Sequence, residues 1–398
     1  MDIKALRARA LEAIEGARPI VLSVSHGIHD RPELGGEERF ASGLLADTLE
    51  AAGFAVERGF AGIPTAFLAS KGKAGGVRIG FMAEYDALPV IGHGCGHNLI
   101  CSSALAAGIG LAAVAYEAGG EVAVVGTPAE ETDGAKVRMS EIGAFDSLDA
   151  ALMIHPYSGN YYVTESLAMD AIELAFTGKP AHAAASPWDG LNALDAVIMT
   201  FNAIGALRQQ MRPDARVHGI ITEGGTAPNV IPERTVARFY VRAKTRAYLD
   251  ELVGRFMDCA RAAALATGTK LASRNYEASF DDMVNNVALA QRLRDRLLEQ
   301  GSGPFERAPD SFGSIDMGNV SHRVPAVHVL VDIANGASIP AHTTEFRDAA
   351  ATPYADEALI RAGKALALTG LDAMTDSAFL ESARAEFAAS LGHRPPRA

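Results

Sequence analysis

The sequence predicts an α/β protein: a mixed, mostly parallel sheet with flanking helices, into which a two-layer α+β unit is inserted. Three observations predict it. Apolar runs of strand length recur as VRIGFMA (77–83), EVAVVG (121–126), DAALMI (149–154) and PAVHVLVDI (325–333). Alanine- and leucine-rich helical patterns such as 99–118 and 358–370 alternate with them in a βαβ-like way. The middle of the chain differs, because AIELAFTG (171–178), VHGIITEGG (217–225) and RTVARFYVRA (234–243) alternate as half-exposed strands do, with helical patterns at 189–211 and 247–266. The expected division is therefore a catalytic domain of 1–166 and 281–398 and an insert of 167–280.

Length and composition agree. A chain of 398 residues accommodates two or three domains, and 48% hydrophobic with 21% charged residues is a globular balance. Lysine and arginine (36) fall short of aspartate and glutamate (48) by 12, so there is no basic footprint for nucleic acid. Three sparse cysteines, Cys95, Cys101 and Cys259, fit a reducing compartment and no disulfide framework. The first 23 residues read as an amphipathic helix rather than a signal peptide, which points to the cytoplasm. Residues 99–116 carry no charge, yet alanine, glycine and serine dominate them, and a buried core helix is expected rather than a membrane span. Gly108, Gly110 and Ala113 spell the outline of a dinucleotide-binding turn, but they lie inside that helix and follow no strand, so close helix packing explains them. The tail HRPPRA (393–398) is expected to be disordered.

Ligand-type residues collect where strands end. VRIGFMA runs into Glu84, Tyr85 and Asp86, EVAVVG into a loop with Glu130 and Glu131, and DAALMI into His155. Sites in open α/β sheets form at such ends. GHGCGHN (92–98) sets His93, Cys95 and His97 on alternate positions, which in an extended loop puts three donors on one side, within reach of one metal. A glycine-rich turn with incidental polar residues would carry the same letters. Adjacent glutamates suit a helix N-terminus, and equally a metal ligand beside a proton acceptor. His342 follows the last strand; His26, His29, His218, His322, His328 and His393 have no partner at ligand spacing and read as structural.

HDRPELGGEE (29–38), EYDALPVIGHGCGHNLI (84–100), GTPAEET (126–132), GKPAHAAASPWDGLNALDAV (178–197), GGTAPNVIPE (224–233) and GSIDMGNVS (313–321) together resemble a known family. It is that of the dinuclear metallopeptidases, with aminoacylases, carboxypeptidase G and auxin-conjugate amidohydrolases, and the match is nearest the aminobenzoyl-glutamate hydrolase and β-alanyl-lysine dipeptidase branch. The resemblance implies a zinc-peptidase-like catalytic domain with an inserted lid and dimerisation domain. It implies Cys95, His97, Glu131, His155 and His342 as ligands of two divalent ions, zinc or manganese, with Cys95 bridging and Glu130 as general base. Asp86 resembles the acid that orients a ligating histidine. His182 resembles the lid histidine that in dimeric relatives reaches the neighbouring active site, and Asn229 and Arg242 occupy positions like those of substrate-binding residues.

Two departures count against indole-acyl substrates: Asn98 stands where aspartate is usual in the auxin-conjugate enzymes, and Glu84-Tyr85-Asp86 replaces an Asp-Met-Asp run. The implied activity is hydrolysis of an amide bond in a small acyl-amino acid or dipeptide, by a homodimer that binds neither nucleic acid nor membrane. The alternatives are a hydrolytic deaminase or other non-peptide hydrolase on the same two-metal site, and a catalytically silent binding protein.

Overall fold

The computed structural model describes residues 1–308 and 313–391; the tail at 393–398, read above as disordered, lies outside them. The chain forms two compact units. The first runs to Glu165 and resumes at Met283, and the second spans Ser166–Asp282 with Gly313 and Ser314 attached.

Among the described residues the strands are, in chain order, β1 (Ala55–Arg58), β2 (Phe67–Gly72), β3 (Val77–Ala83), β4 (Gly120–Gly126), β5 (Ala150–Tyr157), β6 (Tyr161–Val163), β7 (Ala168–Thr177), β8 (Arg216–Glu223), β9 (Arg234–Ala243), β10 (Lys270–Asn275), β11 (Glu306–Arg307) and β12 (Ala326–Asp332). The sheet of the first unit has the order β1-β2-β4-β3-β5-β12-β6-β11. Its centre, β4-β3-β5-β12, is parallel throughout. One edge is extended by antiparallel β2 and β1.

Successive side chains of the central strands feed two separate cores. Ile79, Phe81, Val124, Leu152, Ile154 and Val329 pack on one face. Met82, Val125, Ala151, Met153 and Ala326 pack on the other. A strand covered on both faces must be apolar at every position, which is why these segments read as unbroken hydrophobic runs. Each large side chain so buried contributes roughly 1.5–3 kcal/mol.

The helix His97–Ala118 is long and apolar enough to cross a membrane, and 83% of its most apolar window is buried inside the unit. It packs between the helices Ile3–Asp30 and Pro353–Thr375. Small residues make this possible. A Cβ at Gly108 would fall 2.5 Å from Val124 Cγ2, and one at Gly363 would fall 2.6 Å from Ala106 Cβ. The GxGxxA outline is thus a packing feature, as its helical context implies.

The second unit is an antiparallel sheet, β10-β7-β9-β8. The helices Ala193–Leu207 and Arg246–Thr267 supply Val197, Leu252 and Phe256, which pack on Ile172, Leu174 and Phe239 of the strands. Two layers suffice because only alternate strand residues point inward. β10, with the sequence KLASRN, is almost wholly exposed and carries no apolar alternation from which a strand could be read.

Gly363→Ala tests the close helix approach. Ala106 Cβ is fixed to its own backbone and cannot swing aside, so overpacking of about 1–3 kcal/mol should outweigh the helix-propensity gain of about 1 kcal/mol. Denaturant unfolding should show a lower midpoint; an unchanged or raised midpoint would mean that the helices separate freely.

Candidate metal centre

Five chain segments of the first unit converge at the carboxyl ends of the central strands. β3 ends one residue before Glu84 and three before Asp86, and β5 carries His155. The loop after β4 brings Glu130 and Glu131, while His97 opens the long helix. His342 lies between β12 and the short helix Thr344–Ala349.

Asp86 joins two of these segments. Its Oδ1 lies 3.0 Å from His97 Nδ1 and its Oδ2 accepts from the Glu131 backbone N–H at 2.9 Å. With Nδ1–H given to Asp86, His97 presents Nε2 to the centre. His155 is set in the same way, because Nδ1 donates to the Pro156 carbonyl at 2.7 Å.

The donor atoms fall into three overlapping triads: Cys95, Glu131 and His342; His97, Glu130 and Glu131; Glu84, His97 and His155. Within each triad the ligand atoms all lie within 4.8 Å of one another. Glu131 Oε1 is 3.4 Å from His342 Nε2 and 3.9 Å from His97 Nε2. Glu84 Oε2 is 3.6 Å from His97 Nε2, and both atoms are buried without a hydrogen bond. Orphaned lone pairs on buried imidazole and carboxylate, beside a thiol, are a donor set that fits divalent cations.

The two adjacent glutamates are driven apart. Burial, then the charges of Glu84, Asp316 and Glu131, pushes Glu130 well above the ordinary carboxylate range. Burial acts the same way on Glu131, but His342, His97 and Cys95 outweigh it and hold that carboxyl below its usual value. Asp86 likewise overcomes the effect of burial and raises His97 well above an ordinary imidazole, whereas burial lowers His155. Hydrogen bonds to Cys95 and Glu131 raise His342 to about 10. Two carboxyls pushed in opposite directions can take different chemical parts.

Backbone strain sits at the same place. Ala129 (φ 61°) and His342 (φ 64°) are non-glycine residues in the left-handed region. The Ala129 N–H donates to the buried Glu38 carboxylate at 2.7 Å, and its carbonyl accepts from Gly134 N at 2.7 Å. The His342 N–H donates to the Gly94 carbonyl at 3.0 Å. Such conformations cost on the order of 1–3 kcal/mol each and persist where surrounding contacts fix them.

One expectation is overturned. The HxCxH run is not extended, so its three side chains do not share a side. Gly92 (φ 85°) and Gly96 (φ 73°) coil the loop, and His97 begins a helix. His93 turns away, with Nε2 3.1 Å from the Ile28 carbonyl and its ring stacked on His29 at 6.2 Å.

Three residues of this centre escaped the sequence reading. Lys136 is fully buried, with Nζ 2.5 Å from Glu84 Oε1 and 2.7 Å from Asp316 Oδ1. His328, read as structural, packs its ring 5.4 Å from that of His155. The β12–β5 register, which pairs Leu330 with His155, puts His328 on that face. No spacing in the sequence announces the Lys136 cluster, although strand pairing could have found His328.

The remaining candidates belong to the second unit. His182 Nδ1 accepts from the backbone N–H groups of Ala184 and Ala185, which leaves the proton on Nε2. Its segment pairs with that of Asn229, whose carbonyl accepts from Ala183 N at 3.0 Å. Arg242 lies on β9 opposite Met169 and Arg216, its guanidinium 5.5 Å from the Tyr240 ring centre.

Comparison with known proteins agrees with this fold. Residues 168–267 match the model of the peptidase dimerisation domain. The chain is 38% identical to the Xaa-Arg dipeptidase of Mus musculus over 98% of its own length and 94% of that protein. It is 35% identical to the Xaa-Arg dipeptidase of Homo sapiens, over 97% and 93% of the two chains. The crystal structure of Bacillus subtilis YXEP, a dinuclear metal-binding peptidase, superposes with a TM-score of 0.67 at 19% identity, covering 94% of this chain and all of that one. Fold and site define a metal-dependent hydrolase of amide bonds. The chain belongs to the M20 peptidase family.

Lys136→Met would leave Glu84 and Asp316 buried without their cation. Removing one partner of a buried ion pair costs about 3–5 kcal/mol, so metal-stripped Lys136→Met should unfold at a markedly lower denaturant concentration. A loss below about 1 kcal/mol would mean that water or protonation replaces the lysine at little cost.

Proposed function

We propose that the protein is a two-metal dipeptidase, acting on a small dipeptide or a closely related N-acyl amino acid. The observation that carries this reading is the set of three overlapping donor triads with an adjacent high-pKa glutamate. Likeness to the Xaa-Arg dipeptidases favours a dipeptide over the other amides.

In this reading Cys95, Glu131 and His342 would hold one ion and His97 and His155 the other, with the Cys95 thiolate available to both. Thiolate and imidazole favour zinc, and the carboxylates admit manganese. When bound, the ions supply Lewis-acid activation of water and of the amide carbonyl. Glu130 would take the proton from the attacking water and deliver it to the leaving amine. Asp86 keeps His97 in the tautomer that points Nε2 inward. A reducing compartment, the cytoplasm, keeps Cys95 available as a ligand, and all three cysteines are free thiols.

The second unit supports a homodimer. β8 is an edge strand with Ile220 and Ile221 exposed, and the nearby helix exposes Ile198 and Met199. An apolar open edge of this kind is stabilised by pairing with another chain. In the dimer His182 polarises the carbonyl of substrate bound at the partner's centre, while Asn229 and Arg242 hold the substrate.

The substrate class is tested by screening metal-reconstituted protein against Xaa-Arg and β-alanyl dipeptides, aminobenzoyl-glutamate, N-acyl amino acids and aromatic amines. Turnover of the amines alone would replace the peptidase reading with a deaminase.

Glu130→Gln should keep both ions and lose about a hundredfold or more in kcat, because a general base contributes roughly 10²–10⁴. Glu131→Gln should instead lose metal, as elemental analysis will report. Reversed phenotypes would exchange the two roles.

His182→Ala and Glu130→Gln homodimers should both be nearly inactive. Mixed under subunit exchange, they should recover activity, since one hybrid centre has both residues intact. Hydrolysis that stays absent after proven exchange would confine His182 to its own subunit.

A further inference from the structure

We propose that Glu84 is a further protein ligand of this centre, joining His97 and His155 at one ion, and that the Lys136 ammonium on its other oxygen fixes its orientation. The proposal rests on the two-ion reading and adds to the donor set given there.

Glu84 has two oxygens with different surroundings. Oε1 accepts from Lys136 Nζ at 2.5 Å. Oε2 is buried, makes no hydrogen bond, and lies 3.6 Å from His97 Nε2. The residue is 2% exposed, so water does not solvate the second oxygen. A carboxylate oxygen left in that condition is costly.

Pairing with lysine alone does not explain the arrangement. Lys136 already has Asp316, whose Oδ1 takes Nζ at 2.7 Å and whose Oδ2 takes the Lys136 backbone N–H at 3.2 Å. Both oxygens of Asp316 are engaged, and one of Glu84 is not. His97, meanwhile, has its Nδ1 beside Asp86, and His155 has its Nδ1 on the Pro156 carbonyl. In the neutral rings the Nε2 lone pairs are therefore the ones left over. One ligand atom from each of Glu84, His97 and His155 lies within 4.8 Å of the other two. A cation satisfies all three at once. Lys136 cannot serve as that cation, because its Nζ is held on the opposite oxygen.

The test compares two substitutions that remove the same charge from the same buried cluster. Unsubstituted protein, Glu84→Gln and Asp316→Asn are stripped with chelator, dialysed to equilibrium against graded Zn²⁺, and their ion content is counted by mass spectrometry. Co²⁺ absorption spectra report the coordination of each ion. Unsubstituted protein and Asp316→Asn should hold two ions. Glu84→Gln should hold one at unchanged affinity and the second at least about tenfold more weakly, since loss even of groups that only orient a ligand costs 10–100-fold. The Co²⁺ spectrum of that second ion should change as well.

Two ions at unchanged affinity in Glu84→Gln would overturn the proposal. Equal weakening in Glu84→Gln and Asp316→Asn would also overturn it, since charge alone would then be responsible. Should Glu84→Gln not fold, Glu84→Asp keeps the charge and withdraws the carboxylate by one methylene; it should weaken the second ion, and unchanged binding there would equally overturn the ligand role. Fewer than two ions in the unsubstituted protein would instead overturn the two-ion reading itself.

Discussion

The Asp86 carboxylate is the interaction on which the rest of the centre depends. One oxygen faces the first residue of the long helix and the other faces the backbone of the loop after β4. It therefore fixes the distance between His97 and Glu131, and it decides which imidazole nitrogen faces inward. A parallel sheet brings strand ends to one edge, but it does not set side chains to within an ångström. That needs a buried group with two acceptors, and a carboxylate has them. Its burial is tolerable because each oxygen meets a hydrogen-bond donor.

Charge is the second constraint. Glu84, Asp86 and Asp316 are buried, Glu130 and Glu131 stand beside them, and Lys136 is the fixed cation that meets Glu84 and Asp316. Lone pairs without donors and carboxyls pushed in opposite directions are what an interior shaped around added positive charge looks like when only protein groups are counted. Burial raises both glutamates, and the neighbouring charges then part them, adding to the rise of Glu130 and reversing that of Glu131. Glu130 lies among acids, and Glu131 lies among imidazoles.

Much of this could be read from the chain. The doubly covered strands appear as continuous apolar runs, and the residues following VRIGFMA, EVAVVG and DAALMI do reach one edge. The uncharged helix is buried, and its small residues are packing residues. What escaped the reading depends on tertiary pairing. Glu84, Lys136 and Asp316 are separated by 52 and 180 positions, so no local pattern joins them. His328 is placed by strand register, and His93 is displaced because two left-handed glycines coil a loop that alternation alone would draw straight. β10 escaped because its side chains are nearly all exposed, leaving backbone pairing with β7 to define it.

The strained residues connect these arguments. Ala129 directly precedes the glutamate pair, and His342 is itself one of the proposed ligands. A glycine at either place would adopt the left-handed conformation without penalty, but it would also loosen the segment in the unfolded and folded chain alike. A side chain forced into that region is held there by particular bonds: the Glu38 carboxylate on Ala129 N, the Gly94 carbonyl on His342 N. Donors placed by over-determined backbone cannot relax toward one another when their charges are unmatched. Rigidity of that kind keeps lone pairs pointing at a common centre, whereas a flexible loop would turn them outward to water. The strain at Ala129 and His342 thus lies in the two segments that set the Glu131 carboxylate beside the His342 imidazole.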